Sequence, residues 1–354
     1  MSAIMAVLSD PDLLRLVFES ADPMASRWHA ADLLHGGCVC TLWRDASAAL
    51  RVRVRRWFTA PLTPSVIAER LRRPYFPALL PSGELLVTEE ACNLHITEIA
   101  TSRCRDVAVS DRLSCAVGVV CDDLRGVLYV SGGNRVTKLR QSDMQIVRSS
   151  AAVFVLAEQI ALFNSRSVIR APPLEGEVRV DDEHTLLLAV DHHKPNPLTV
   201  LDAETLEVRL EHGEGVLRHP RGIAVLGCDI FVSNHDRHRI DVYNLTSQGS
   251  LSTIHLYHRR WFGSLGAAAG CFHHPMGLAT AHGRLYVAEY GNHRVQVLTP
   301  EGRPMQIIAM PHPMWGLYAD PRELRVFAVS KRGGCVHQLK EATPAEAARM
   351  LVMC

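Results

Sequence analysis

No stretch of this 354-residue chain strings together the eighteen or so apolar residues of a membrane-spanning helix, so a helical span is excluded. Its ten cysteines include no Cys-x-x-Cys pair and are far too sparse for a disulfide-stapled module. They read as reduced thiols, which sets the expected compartment as cytoplasmic or nuclear. The opening MSAIMAVLSDPDLL has no basic leader before its apolar residues and meets Asp10 and Asp12 early, so no secretory signal is expected. Charge of one sign is also missing: 38 basic residues face 37 acidic ones. Between Pro74 and Lys340 the balance is 27 to 28. A domain that grips a phosphate backbone shows a basic excess, so RNA is a disfavoured partner. Nucleophile-elbow, phosphate-loop, kinase and zincin strings are all absent, and no catalysis and no cofactor are expected.

What is present is repetition. His274 to Ile308 breaks into four short runs: Gly277 to Thr280, Arg284 to Ala288, Arg294 to Leu298 and Met305 to Ile308. His282-Gly283, Tyr290-Gly291-Asn292-His293 and Pro300-Glu301-Gly302 separate them with turn residues. Within the runs, Leu285 and Val287 alternate with Tyr286 and Ala288, the period of a strand. Four such strands make one small sheet that cannot bury both faces alone. The pattern recurs. His219-Pro220-Arg221-Gly222-Ile223-Ala224 repeats His274-Pro275-Met276-Gly277-Leu278-Ala279, and a third opening is read at His312-Pro313-Met314-Trp315-Gly316-Leu317. Fainter copies run back to Leu85, giving six units of about 44 residues, the spacing of propeller blades. Six sheets in a ring bury each other's faces and leave only short edges.

These residues resemble the NHL repeat, through Pro275, Gly277, Tyr286-Val287-Ala288 and Asn292-His293-Arg294-Val295-Gln296-Val297, and again through Pro220, Gly222-Ile223-Ala224-Val225 and His238-Arg239-Ile240. The resemblance implies an interaction platform. The first sixty residues follow other rules: Leu13, Leu14, Val17 and Phe18 recur at helical spacing behind Ser9, Asp10 and Pro11, and Val39, Leu42, Trp43, Ala46 and Leu50 share a later helical face. This segment resembles an F-box, on Leu8, Leu13-Leu14, Val17-Phe18, Asp22-Pro23, Val39-Cys40 and Trp43-Arg44, with Ser9 where that family has proline. The resemblance implies that Leu8, Pro11, Leu14, Val17, Phe18, Val39 and Trp43 bind the adaptor of a cullin-type ubiquitin ligase.

The expected architecture is therefore mainly β. It comprises a three-helix F-box-like module over 1–60, a linker helix over 61–73 with its helical run at Ser65 to Arg72, a six-bladed NHL-like propeller over 74–340, and a C-terminal helix over 341–354 opened by the capping box Thr343-Pro344-Ala345-Glu346. The expected function is substrate recognition for the ligase, without chemistry of its own. A protein client would bind the rim where inner strands begin: Arg218, His219, Arg221, His273, His274, Met276, His312, Met314 and Trp315, types enriched in interfaces. A propeller scaffold for protein or RNA is the alternative, and a metal-dependent lactonase or lyase a distant third. Eighteen histidines invite a metal, but His219, His274 and His312 share a repeat position before proline, as a common turn role requires, so no metal site is assigned. Glu89, Asp191, Asn234 and Glu289, at the ends of second strands, are read as exposed loop groups.

Overall fold

The computed structural model describes residues 62–90, 94–99, 103–107, 113, 115–164, 169–170, 185–247, 254–323 and 325–341. The proposed F-box-like module with all seven of its adaptor-binding candidates, and the proposed C-terminal helix beyond Glu341, lie outside them. The chain divides into two compact units, Met1–Pro61 with Pro321–Leu324, and Leu62–Asp320 with Arg325–Cys354. The second unit is a six-bladed β-propeller, and no α-helix occurs among the described residues. None of their helices is long and apolar enough to cross a membrane.

Strand β1 (Leu62–Ala68) opens the unit. Blade one follows as β2 (Pro74–Leu79), β3 (Leu85–Glu89), β4 (Leu94–Glu98) and β5 (Arg103–Val107). Blade two is β6 (Ala116–Asp122), β7 (Val127–Gly132), β8 (Arg135–Arg140) and β9 (Ile146–Ser149). Blade three begins with β10 (Ile160–Asn164) and, past the two-residue β11 (Ile169–Arg170), continues as β12 (Thr185–Val190), β13 (Leu198–Asp202) and β14 (Val208–His212). Blade four is β15 (Pro220–Leu226), β16 (Asp229–Asn234), β17 (Arg239–Ser247) and β18 (Ile254–Phe262), with β11 parallel to the end of β17. Blade five is β19 (Pro275–Ala281), β20 (Arg284–Glu289), β21 (Arg294–Leu298) and β22 (Pro304–Ala309). Blade six takes β23 (Gly316–Ala319), β24 (Arg325–Ser330) and β25 (Cys335–Glu341), and its outer strand is β1.

The alternation read in blade five sorts side chains between neighbours. Leu285 and Val287 pack against Phe231 and Val242 of blade four, and every residue of β20 is buried because both faces of the sheet are covered.

The linker helix expected over 61–73 is corrected. Leu62 to Ala68 pair antiparallel with Glu341 to Val336, so the start of the unit supplies the strand that closes the ring. Thr63, Val66 and Ile67 are β-branched and fit a pleated surface better than a helix. Pro64 is exposed on this outermost strand, where a missing N–H costs no ladder bond. Gln306 of β22 seals the junction: its side-chain amide donates to Leu62 O at 2.8 Å and accepts from Leu62 N at 3.0 Å.

Candidate functional site

Around the axis four of the six inner strands begin in the same way. In blades one, two, four and five the pairing with the second strand slips after the first residue, between Pro74 and Pro77, Ala116 and Val119, Pro220 and Ile223, and Pro275 and Leu278. A bulge of this kind re-aims a side chain. Before each bulge stands a residue with positive φ: Arg73 at 53°, Cys115 at 57°, His219 at 47° and His274 at 52°. The left-handed turn demanded there is one that histidine accepts more readily than β-branched residues. Blade six departs. Gly277 N donates to Trp315 O at 2.8 Å, and Gly316 pairs with Val329, so Trp315-Gly316 matches Met276-Gly277. Pro313 therefore occupies the position of His274, and the turn role expected for His312 is corrected: the extra residue shifts it out of register.

Position two holds Tyr75, Val117, Glu158, Arg221, Met276 and Trp315, of which Val117 and Met276 are packed inside and the other four meet at the channel mouth. Position three holds glycine in blades two, four, five and six, because the backbones approach too closely for a Cβ: one on Gly222 would overlap Met276 O, and one on Gly277 would lie 2.5 Å from Trp315 O. Gln159 takes that position in blade three and bolts the axis together. Its amide donates to Leu278 O at 2.7 Å and accepts from Leu278 N at 3.0 Å and Ile223 N at 3.2 Å.

Glu158 is the one acidic member of the ring. Its Oε1 is paired with the Arg221 guanidinium, and His192 Nδ1 lies 3.4 Å away. Burial raises the Glu158 pKa, and the opposing pull of Arg221 does not cancel it. Burial, then Arg221, pushes His192 down to about 3, so this imidazole is neutral and its Nδ1 accepts from Arg221 Nη1 at 3.3 Å. Across the mouth, Arg221 lies 5.8 Å from the Trp315 ring, and Trp315 meets Tyr75 edge-on at 5.8 Å. Lys331 Nζ sits 4.0 Å from the Tyr75 ring centre and 4.6 Å from that of Trp315, and donates to Tyr75 Oη at 2.6 Å. Burial lowers the Lys331 pKa. Three buried polar atoms of this set have no protein partner: Glu158 Oε2, Arg221 Nε and Trp315 Nε1. Buried polar groups are nearly always paired, so such a cluster marks a place completed by something outside the chain.

Beside it lies a histidine field on blades three to five. His192 and His193 stack at 3.8 Å, and His192 meets His219 at 5.7 Å. His235, His238, His273 and His274 crowd together with ring centres 4.3 to 5.6 Å apart where they touch.

Of the nine rim candidates, Arg221 and Trp315 reach the mouth, and His219, His273 and His274 join the histidine field. Arg218 is exposed, its N–H donating to Asn234 Oδ1 at 2.9 Å. His312 is exposed beside Gly333 on blade six. Met276 and Met314 are corrected as contact residues: at 2% and 0% exposure they are packed inside. Glu89, Asp191, Asn234 and Glu289 are corrected too. All four are buried, and each accepts N–H bonds from the loop entering the inner strand, as Glu89 from Arg72, Asp191 from Val155 and Leu156, and Glu289 from His273. They are loop anchors.

Residues not singled out from the sequence include Glu158, Gln159, His235 and Asp236. Blade three lacks the Pro-x-Gly opening, so Glu158 had no repeat to align with. The turn His235-Asp236-Arg237-His238 replaces Tyr290-Gly291-Asn292-His293, and that substitution was the available signal.

Residues 272–298 match the NHL repeat family. No curated protein sequence matches the chain. Among solved structures, a gluconolactonase from Xanthomonas campestris is similar at 14% identity over 79% of this chain and 90% of its own, with a TM-score of 0.57. Regucalcin, a calcium-binding protein from Agrobacterium tumefaciens, is similar at 10% identity over 80% and 95%, with a TM-score of 0.56. The PQQ-bound form of an aldose sugar dehydrogenase from Streptomyces coelicolor is similar at 14% over 80% and 99%, with a TM-score of 0.53. At such identities the likeness establishes the fold. The expectations of a ubiquitin-ligase recognition subunit and of a chain without catalysis are corrected on this comparison, whose similar propellers are a gluconolactonase, regucalcin and an aldose sugar dehydrogenase, and it lends the scaffold alternative no support either. The chain is a six-bladed β-propeller that carries an NHL repeat in its fifth blade.

Proposed function

We propose that this propeller is a hydrolytic enzyme acting on a small polar carbonyl compound of the sugar-lactone class at its channel mouth. The observation that carries this reading is the set of three buried, unpartnered polar atoms, Glu158 Oε2, Arg221 Nε and Trp315 Nε1, on side chains that meet one another in turn at the axis. Mostly apolar walls with a few convergent polar groups are what a small-molecule site requires. A buried carboxylate with a raised pKa beside a fixed cation is the usual setting of a general base or acid.

In the proposed reaction Glu158 takes a proton from water as the water oxygen bonds to the lactone carbonyl carbon. Arg221 donates to the carbonyl oxygen as negative charge gathers there, the type of stabilisation that contributes most in a dry site. The ring C–O bond then breaks, and Glu158 returns the proton to the departing oxygen, leaving a hydroxy acid. Trp315 lies against the ring of the substrate, and its Nε1 donates to one of the substrate hydroxyls.

The calcium of regucalcin does not fit this axis. One carboxylate already paired with Arg221, with Lys331 opposite, is not the set of oxygen donors that a calcium ion takes. No step is assigned to that ion.

Hydrolysis of aldonolactones by the full chain, followed as acid release, tests the proposal. Glu158→Gln is expected to abolish the enzyme-dependent rate while the protein stays folded. No turnover by the parent protein across five- and six-membered lactones, or undiminished turnover by the variant, rejects it.

A further inference from the structure

Blades four and five bring together three side chains that neither the repeat nor the proposed hydrolysis uses. His235 and Asp236 stand on the tight 3-10 turn 235–237 that joins β16 to β17, and His274 is the left-handed residue that leads into β19. One ligand atom from each of the three lies within 4.8 Å of the others. We propose that His235, Asp236 and His274 form a binding site for a divalent transition metal of the zinc type.

Three observations carry the site. His274 Nδ1 is buried and has no protein partner, although its imidazole lies 4.3 Å from that of His235. An orphaned ring nitrogen facing a second imidazole is what a shared cation resolves. The carboxylate is already oriented, since Asp236 accepts from His235 Nδ1 at 2.6 Å and is bridged to His219 Nδ1 at 2.8 Å, the imidazole–carboxylate support that metal sites depend on. His274 is fixed in turn: its backbone N–H donates to His238 Nδ1 at 3.1 Å.

Two imidazoles and one carboxylate make a borderline donor set, which suits zinc, cobalt or nickel and not calcium or magnesium. Tetrahedral ligation at about 2.0–2.1 Å places donors roughly 3.3 Å apart, so the widest pair closes by at most about 1.5 Å on binding. Asp236 is exposed, so an ion can reach the site from solvent. The site needs neither Glu158 nor turnover, so it stands or falls apart from the hydrolysis proposal.

Cobalt(II) is the probe. Titration of the full, metal-stripped chain is expected to give one equivalent of binding with visible d–d bands of four- or five-coordinate intensity, bleached by stoichiometric zinc. His274→Ala and Asp236→Asn should each weaken cobalt binding at least tenfold, whereas His255→Ala, an exposed residue of β18, should leave it unchanged. His235→Gln serves as a second ligand variant if His274→Ala unfolds, since it alters no left-handed backbone. Absence of the bands in the parent protein, or bands that persist in folded His235→Gln and Asp236→Asn, overturns the proposal.

Discussion

At the scale of single residues the axis depends on Gln159. It satisfies two backbone N–H groups and one carbonyl from blades four and five, all shut away from water. Replacing it with alanine orphans all three, each at about 1–3 kcal/mol when fully buried, less whatever water reaches them. Gln159→Ala is therefore expected to lower stability by about 3 kcal/mol, read as a shift of the urea midpoint at unchanged slope. His192 makes a pH prediction. Its pKa is about 3 in the fold against 6.5 in the open chain, so between those values the unfolded state binds more protons. Stability is thus fully present above pH 6.5 and is lost as pH falls toward 3, by up to about 1.4 kcal/mol per pH unit from this group. Glu158 acts in the opposite sense, because its raised pKa makes the fold hold the proton more tightly. Arg221, His193, His219 and His235 also face His192, so the informative readout is the difference between parent and His192→Asn across pH 7.5 to 4.5. The parent should lose more stability on acidification, and equal slopes would remove His192 from the account.

Elements explain why reading the chain succeeded in some places and failed in others. Blade five was legible nearly to the residue, since Arg284, Arg294 and Leu298 bound runs that the structure bounds in the same places. Its turns carry glycine and asparagine, and its strands alternate. Strand β1 was not legible, because Ser65 to Arg72 has helical spacing in isolation and only its pairing with β25 makes it a strand. Tertiary context overrode local preference there. Closure by β1 predicts that Ile67→Asp, which puts a carboxylate into the cluster of Leu79, Val87 and Phe327, costs about 3–5 kcal/mol. Thermal unfolding should show it, and a neutral effect would mean that β1 does not close the ring. The loop anchors failed for a different reason. A carboxylate at the end of a strand reads as solvated unless one knows that the next blade's entry loop folds over it, as Leu71 to Pro74 and Phe272 to Pro275 do over Glu89 and Glu289.

On the scale of the whole molecule, the ring geometry turns weak repeats into a site. Position-two residues separated by about forty to sixty residues in sequence become neighbours, and chemistry that no local motif encodes appears among Glu158, Arg221 and Trp315. Arg221 and Trp315 were picked out because blades four and six keep the Gly that marks the opening. Glu158 was not, because blade three lost it. Gly222 tests the ring directly: a methyl group there collides with blade five, so Gly222→Ala should cost about 1–3 kcal/mol, and a stability equal to the parent's would mean that the backbones do not close as described. The most direct test of the central claim is the pH dependence of kcat/KM for lactone hydrolysis by the parent protein and by Glu158→Asp. A catalytic Glu158 gives the parent an activity that rises with pH along a limb above the ordinary carboxylate range, and the shorter aspartate, withdrawn from the mouth, loses most of kcat. A pH-independent rate, or an aspartate variant with the parent's profile, would contradict it.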